Sequence, residues 1–145
     1  MTAVGRGALR VRLLATHDRL AQAARAAGRH PVVDDQWTAR EEILHLVVVE
    51  SEVWQRRLHQ LAEPGSPRWT FTEPGLGVAP DERSLDELLA AFETARRATV
   101  AQIDSLDDAG WFRSGTHATY GVLDIAGLMR VALDHDEEHH RALAR

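Results

Sequence analysis

The sequence predicts an all-α fold, a four-helix bundle formed by one domain over residues 1–145. Apolar residues recur at helical spacing in four separate stretches. Two of these stretches begin with a Thr or Ser followed three residues later by Glu, the pattern of a capping box. With 44% apolar residues in 145, the chain can bury a proper core, and without cysteine it forms no disulfide or cysteine-based zinc site.

The first helix is predicted over residues 6–27 and ends at Gly28. Its apolar positions recur every three or four residues, at Leu9, Leu13, Leu20 and Ala24. His17 lies along this stripe, and we interpret it as a packed or rim histidine, because no second ligand is near it. A short loop over residues 28–36 contains His30.

The second helix is predicted from Thr38, with a capping box to Glu41, to about Ala62. Its core face consists of Ile43, Leu44, Val47, Trp54, Leu58 and Leu61. An ideal helical wheel places His45 away from that face, yet the turn around it is apolar on nearly every side. Periodicity alone therefore leaves open whether His45 is buried.

Residues 63–83 contain four prolines and three glycines, which predicts a crossover or lid. A third helix begins at Ser84, with a capping box to Glu87, and its apolar pattern fades by Leu106. We expect residues 107–118 to form a loop with one turn around Trp111. Residues 119–143 are predicted as the last helix, with an inward face of Ile125, Ala126, Met129, Ala132, Leu133 and Leu143.

Two histidines near the end of the last helix, His135 and His139, are one turn apart. Side chains four residues apart are neighbours, with β-carbons ~5–6 Å apart, so both rings can reach one point and form half of a metal site. The wheel instead makes Asp136 and His140 the more inward pair. Spacing alone does not decide between the two pairs.

Trp37-Thr38, followed by His45 in an apolar run, and His135-Asp136-x-x-His139 near the chain end resemble the DinB-like family. The resemblance implies a four-helix bundle with one divalent metal ion on His45, His135 and His139. If these histidines meet, the second and fourth helices are antiparallel. The long segment then crosses back between helices 2 and 3, and the order is up-down-down-up. The sequence departs from the pattern at Ala142, where relatives often have glutamine.

Neutral imidazoles suit nickel or zinc, and then iron or cobalt. The resembled family includes transferases and isomerases that depend on a low-molecular-weight thiol. The resemblance thus implies a metal-dependent enzyme, of this type or a hydrolase, that activates a thiol or a water for a small-molecule substrate. The alternative is a non-catalytic metal- or ligand-binding protein.

The same residues also bear on two other classes of metal site. A di-iron carboxylate bundle is the lesser alternative, on Glu42-x-x-His45 and Glu137-x-x-His140. The first helix offers only Asp18 as a further carboxylate for it. A zincin protease is disfavoured because Asp136, not Glu, follows His135.

The charge pattern limits the partners. The net charge of −5 comes from 22 acidic and 17 basic residues spread along the chain, so we expect no nucleic-acid partner. All basic residues are arginine, which excludes a Schiff-base lysine. No apolar run approaches ~20 residues, so we expect no membrane span and a cytoplasmic protein. Leu46, Val49 and Val53 exceed what one flank of the core must bury and predict a homodimer.

Overall fold

The computed structural model describes residues 1–77 and 80–145. Its first helix is α1 (Ala3–Ala27), and the second long helix is continuous from α2 (Ala39–Val49) through a π-helical segment (Glu50–Gln55) to α3 (Arg56–Ala62). The other helices are α4 (Leu85–Asp104), the single turn α5 (Asp108–Trp111) and α6 (Ile125–Leu143). The four long helices form the bundle.

Side chains cap these helices at their first residues. The Thr2 hydroxyl accepts from the Gly5 N–H at 3.1 Å, which starts α1 three residues before the predicted boundary at residue 6. At Thr38 both bonds of the predicted capping box to Glu41 are formed. At Ser84 only half of the predicted box exists, because the Glu87 carboxylate contacts the serine hydroxyl instead of the backbone N–H.

A three-stranded sheet makes the prediction of a strictly all-α fold wrong. Its strands are β1 (Arg68–Trp69), β2 (Ser114–His117) and β3 (Gly121–Asp124), in the order β1-β2-β3. The β1–β2 pair is parallel and the β2–β3 pair antiparallel. The predicted last helix, residues 119–143, therefore begins only at Ile125, where the Asp124 side chain caps it.

Two glycines make this sheet feasible. Gly121 has φ +76°, a left-handed conformation that glycine adopts without strain, where the chain reverses into β3. A Cβ at Gly115 would lie 2.7 Å from the Trp69 ring, so only glycine lets β2 pass this close to β1. The sheet fastens the long 63–84 connection to the hairpin that precedes α6.

Ion pairs fix the relative direction of α1 and α4. Arg10 pairs with Asp104 at 3.0 Å, so the start of α1 lies beside the end of α4. Arg25 approaches Asp86 at 3.6 Å, which brings the end of α1 to the start of α4. The two helices are therefore antiparallel.

The core clusters give the other directions. One apolar cluster contains Leu20, Ile43 and Leu143. These residues lie near the end of α1, the start of α2 and the end of α6, respectively. At the opposite end, Leu9 and Ile125 share a second cluster near the starts of α1 and α6. Hence α2 runs against α1, and α6 runs along it, which gives the order up-down-down-up.

A buried ion network lies between the two clusters. The side chains of Arg96 (α4), Glu50 (π segment) and Asp136 (α6) are each 1% exposed. Arg96 donates two hydrogen bonds to each carboxylate, at 2.8–3.1 Å, and one to the Leu13 carbonyl at 2.9 Å. All five guanidinium N–H donors are thereby used.

The electrostatics of this network keep the arginine charged. Burial by itself lowers the pKa of Arg96, but the carboxylates of Glu50 and Asp136 raise it above its ordinary value. Burial raises the pKa of Asp136 in spite of the arginine. Thr99 adds a hydrogen bond to Glu50 at 2.8 Å.

The apolar residues of the second helix and the lengths of the helices bear on two predictions, the homodimer and the absence of a membrane span. Leu46, Val49 and Val53 are buried within the single chain, so the surplus on which the homodimer prediction was based does not exist. The homodimer itself stays a prediction. Among residues 1–77 and 80–145, no helix has the length and apolar character needed to span a membrane.

We predict that Arg96→Leu lowers the free energy of unfolding by about 3–5 kcal/mol, because it leaves two buried carboxylates without their cation. The control is Arg97→Leu, which removes an exposed pair with Glu93 and should cost less than ~1 kcal/mol. Urea unfolding of both variants measures the difference. Equal losses in the two variants would show that the buried network stabilises the fold no more than one exposed ion pair does.

Candidate metal centre

The structure brings together the three histidines that the resemblance nominated. One ring nitrogen from each of His45, His135 and His139 lies within 4.8 Å of the other two. The Nε2 atoms of His135 and His139 are 3.1 Å apart. His45 comes from the second turn of α2 and is fully buried, while the other two come from the last turns of α6. In the described part of the chain this is the one group of at least three such side chains.

Two of the rings are oriented by acceptors behind them. His45 Nδ1 lies 2.6 Å from the Gly75 carbonyl, and His139 Nδ1 lies 2.6 Å from Glu42 Oε2. Each acceptor holds the ring proton on Nδ1, so Nε2 presents its lone pair to the cluster. Metal-binding histidines commonly have such carbonyl or carboxylate partners.

The nitrogens that face the cluster fit a divalent ion. His45 Nε2 is buried and makes no hydrogen bond with any described residue. Burial, above all, lowers the pKa of His45. Burial together with the charges of His139 and His45 lowers the pKa of His135 to about 3. Both rings are thus neutral near neutral pH, which is the form that binds metal.

Tryptophans enclose the group on two sides. The Trp37 ring is stacked on His139 at 6.4 Å between centroids and lies 4.9 Å from His45. The Trp54 ring meets His135 edge-on at 5.8 Å. These contacts restrict the orientation of the imidazoles.

The other histidine and carboxylate candidates lie elsewhere. His17 packs on Phe92 and approaches the Leu89 carbonyl at 3.3 Å, as a packed histidine should. Asp136 is inward, as the helical wheel predicted, but it pairs with Arg96. His140 is half-buried and outside the cluster.

The carboxylates of a di-iron centre are not assembled. Glu137, one of the residues that such a centre would need, forms a partly exposed pair with Arg19 at 3.2 Å. Glu42 is at the site, but it contacts His139 rather than a second metal position. The lesser alternative therefore has no support in the geometry.

Two loops lie at this end of the bundle. His30 lines a cavity of about 320 Å³ together with Trp37 and Glu42. Arg40 donates to the Arg83 carbonyl at 2.6 Å, which ties the turn before α4 to the start of α2. This cavity lies beside the histidines, on the Trp37 side.

Sequence reasoning missed Glu73. Its Oε1 lies 2.9 Å from His45 Nε2, and the two atoms make no hydrogen bond. Glu73 belongs to the long connection, and no periodic pattern marks it. Glu42, by contrast, was signalled by its i, i+3 spacing to His45, although only as a di-iron ligand.

A second cavity, of about 120 Å³, opens on the centre from the other side. Glu73 and His135 both line it. Its walls combine apolar and polar side chains, among them Val53, Phe71, Val131, Arg57, His117 and Tyr120. Sequence reasoning did not identify Arg57, His117 or Tyr120 as site residues.

The fold and the site can now be compared with known proteins. The model of the DinB superfamily matches residues 8–143. The chain belongs to the DinB superfamily. A search of curated proteins gave no match. Among solved structures, YfiT from Bacillus subtilis, described as a probable metal-dependent hydrolase with an unusual four-helix bundle topology, superposes with a TM-score of 0.77. The identity is 17%, over 99% of this chain and 86% of YfiT, so the similarity establishes the fold.

We predict about one divalent ion per chain, measured by elemental analysis of untagged protein and by titration with nickel or zinc. His139→Ala should lower metal affinity by orders of magnitude, because it removes one of three protein ligands. His140→Ala is the matched control and should keep the metal. If His140→Ala loses the metal and His139→Ala keeps it, the ligand assignment is wrong, and the Asp136/His140 pair takes its place.

The pH dependence follows from the lowered pKa values. The pKa values of folded His45 and His135 lie below the unfolded value of ~6.5, so stabilisation is present above that value and is lost as pH falls towards the folded one. Metal binding should lower these pKa values further. Melting temperatures with and without metal should thus differ near neutrality and converge in acid. A difference that is constant with pH would exclude linkage to histidine.

Proposed function

We propose that this member of the superfamily is a metal-dependent hydrolase that acts on a small molecule. The observation that carries the proposal is the position of Glu73, whose carboxylate lies 2.9 Å from His45 Nε2 and lines a cavity. His45, His135 and His139 would hold the ion, nickel or zinc first. A divalent ion so held supplies Lewis acidity, which polarises a carbonyl group and makes water more acidic.

The chain's own residues supply the rest of the chemistry. Glu73 is part-exposed and faces the cavity, so its carboxylate can accept a proton from an attacking water and return it to the leaving group. Glu42 holds the His139 ring by its Nδ1 proton and strengthens that nitrogen ligand. Trp37 and Trp54 restrict the orientation of the imidazoles.

The cavity favours an enzyme over a non-catalytic binder. A centre that only stores metal is closed by protein ligands, whereas a catalytic centre keeps an open position. Here His135 and Glu73 are both reached from a cavity of about 120 Å³ that is lined with polar groups. A small substrate can therefore approach the centre.

A thiol-dependent S-transferase or isomerase is the second candidate. The apolar cavity wall of Val53, Phe71 and Val131 suits a soft thiolate or an alkyl group, and histidine-bound zinc or nickel accepts thiolates. The carboxylate of Glu73 argues for water instead, because it can accept a proton from an attacking water. Turnover of esters without added thiol would separate the two reactions.

We predict that Glu73→Gln lowers the hydrolysis of activated esters or amides about 10²–10⁴-fold, the usual contribution of a general base. Metal content should not change. Glu138→Gln, at an exposed carboxylate on the same cavity, is the control and should keep most of the activity. Full activity of Glu73→Gln would rule out its role as base, and loss of metal from it would make Glu73 a ligand instead.

A further inference from the structure

The cavity beside the centre contains a buried arginine with little to bind. Arg57 is 6% exposed. Its guanidinium lies over the rings of Trp54 and Trp69 at 5.8 and 5.4 Å and donates one hydrogen bond, to the Thr70 carbonyl at 3.1 Å. Within residues 1–77 and 80–145, no carboxylate lies within ion-pair distance of it. Four of its five N–H groups are therefore left to other partners.

Arg96 shows what a structural arginine in this fold looks like. It is buried to a similar degree, but two carboxylates face it and every N–H is used. A buried charge without a counter-ion is costly. Burial accordingly lowers the pKa of Arg57, and no carboxylate opposes that shift. Among the described residues, Arg57 has aromatic rings and one carbonyl group as partners, but no carboxylate.

A second donor lines the same cavity. His117, at the end of β2, is 2% exposed, and its Nδ1 accepts from the backbone N–H groups of Thr119 at 3.0 Å and Tyr120 at 3.4 Å. The ring proton is therefore on Nε2, which has no hydrogen-bond partner among the described residues. Burial and the charge of Arg57 lower the pKa of His117, so it stays a neutral donor.

We propose that Arg57 and His117 form an anion subsite that holds the carboxylate of a small organic monoanion against the histidine centre. The planar fork of arginine matches a carboxylate, and histidine adds a third donor. Three carboxylates, of Glu73, Asp134 and Glu138, line the same cavity and disfavour a dianion such as phosphate. Val53 and Val131 would contact the apolar body of the ligand.

As a statement of substrate class, the inference rests on the proposed hydrolase, but its test does not use turnover. Benzoate and benzamide have nearly the same shape and differ in charge. Calorimetry should show that benzoate binds the full chain at least about 10-fold more tightly than benzamide. This is the difference in affinity expected when hydrogen bonds to a charged group replace those to a neutral one. Inorganic phosphate should bind more weakly than benzoate.

Three variants assign the preference to the subsite. Arg57→Gln should remove it, and His117→Phe should reduce it about 2- to 10-fold, the contribution of one neutral hydrogen bond. Arg56→Gln, at the exposed neighbouring arginine, should leave it unchanged. Because Arg57 also packs on two tryptophans, Arg57→Lys serves as a second variant. It keeps the charge without the fork and should retain part of the preference even if Arg57→Gln does not fold.

His139→Ala separates this subsite from the metal centre. A benzoate preference that persists in His139→Ala and disappears in Arg57→Gln supports the subsite, even if no ester or amide is ever hydrolysed. A preference that disappears in His139→Ala and persists in Arg57→Gln places the carboxylate on the histidines and overturns the proposal. Equal binding of benzoate and benzamide, or tighter binding of phosphate, overturns it as well.

Discussion

The bundle depends on one arginine that contacts all four long helices. Arg96 in α4 binds the Leu13 carbonyl of α1, Glu50 in the second helix and Asp136 in α6. The guanidinium is rigid and planar, so satisfying all of its donors fixes the distance and the rotation of each helix around it. The rotation of α6 matters most. At about 100° per residue, the positions of His135 and His139 lie about 100° and 60° from that of Asp136 on the same side. Holding Asp136 inward thus turns both histidines towards α2.

The π-helical segment performs the corresponding rotation on the second helix. On an ideal wheel His45 lies about 180° from Trp54, which is why periodicity left it outside the core face. A π segment takes in an extra residue, so the positions after it rotate back by about 100° relative to those before it. His45 and Trp54 can then both face inward, and both contact His135. Glu50, inside this segment, binds Arg96. Local periodicity could not reveal the segment, because its driving contacts come from α4 and α6.

The features that could be predicted from the sequence are those that depend on residues close together along the chain. The helix starts at Thr38 and Ser84, the stop at Gly28 and the one-turn spacing of His135 and His139 are all local, and the structure has them. The sheet is different, because the two residues of β1 pair with residues 48 positions further along the chain. Nothing local distinguishes Ser114–His117 from a loop until Trp69 packs against Gly115. Bringing His45 to the other two histidines likewise needed a family pattern, since the wheel favoured Asp136 and His140.

Hydrogen-bond satisfaction separates the polar groups that hold the fold together from those of the proposed site. The donors of Arg96 are all used inside the chain, and its surroundings need nothing further. The polar groups near the histidines are not satisfied in this way. His45 Nε2 has no hydrogen-bond partner in the described chain, although Glu73 lies 2.9 Å from it. Arg57 donates one hydrogen bond. Buried polar groups are nearly always paired, so the unpaired His45 Nε2 and the single hydrogen bond of Arg57 are consistent with the proposed site. From His45 through Glu73 to Arg57 the groups are a neutral nitrogen, a carboxylate and a cation. This is the order that the proposed metal ion, water and anionic substrate would need. The same residues are distributed over α2, the long connection, α3, β2 and α6, so the site exists only once the bundle and the sheet are both in place.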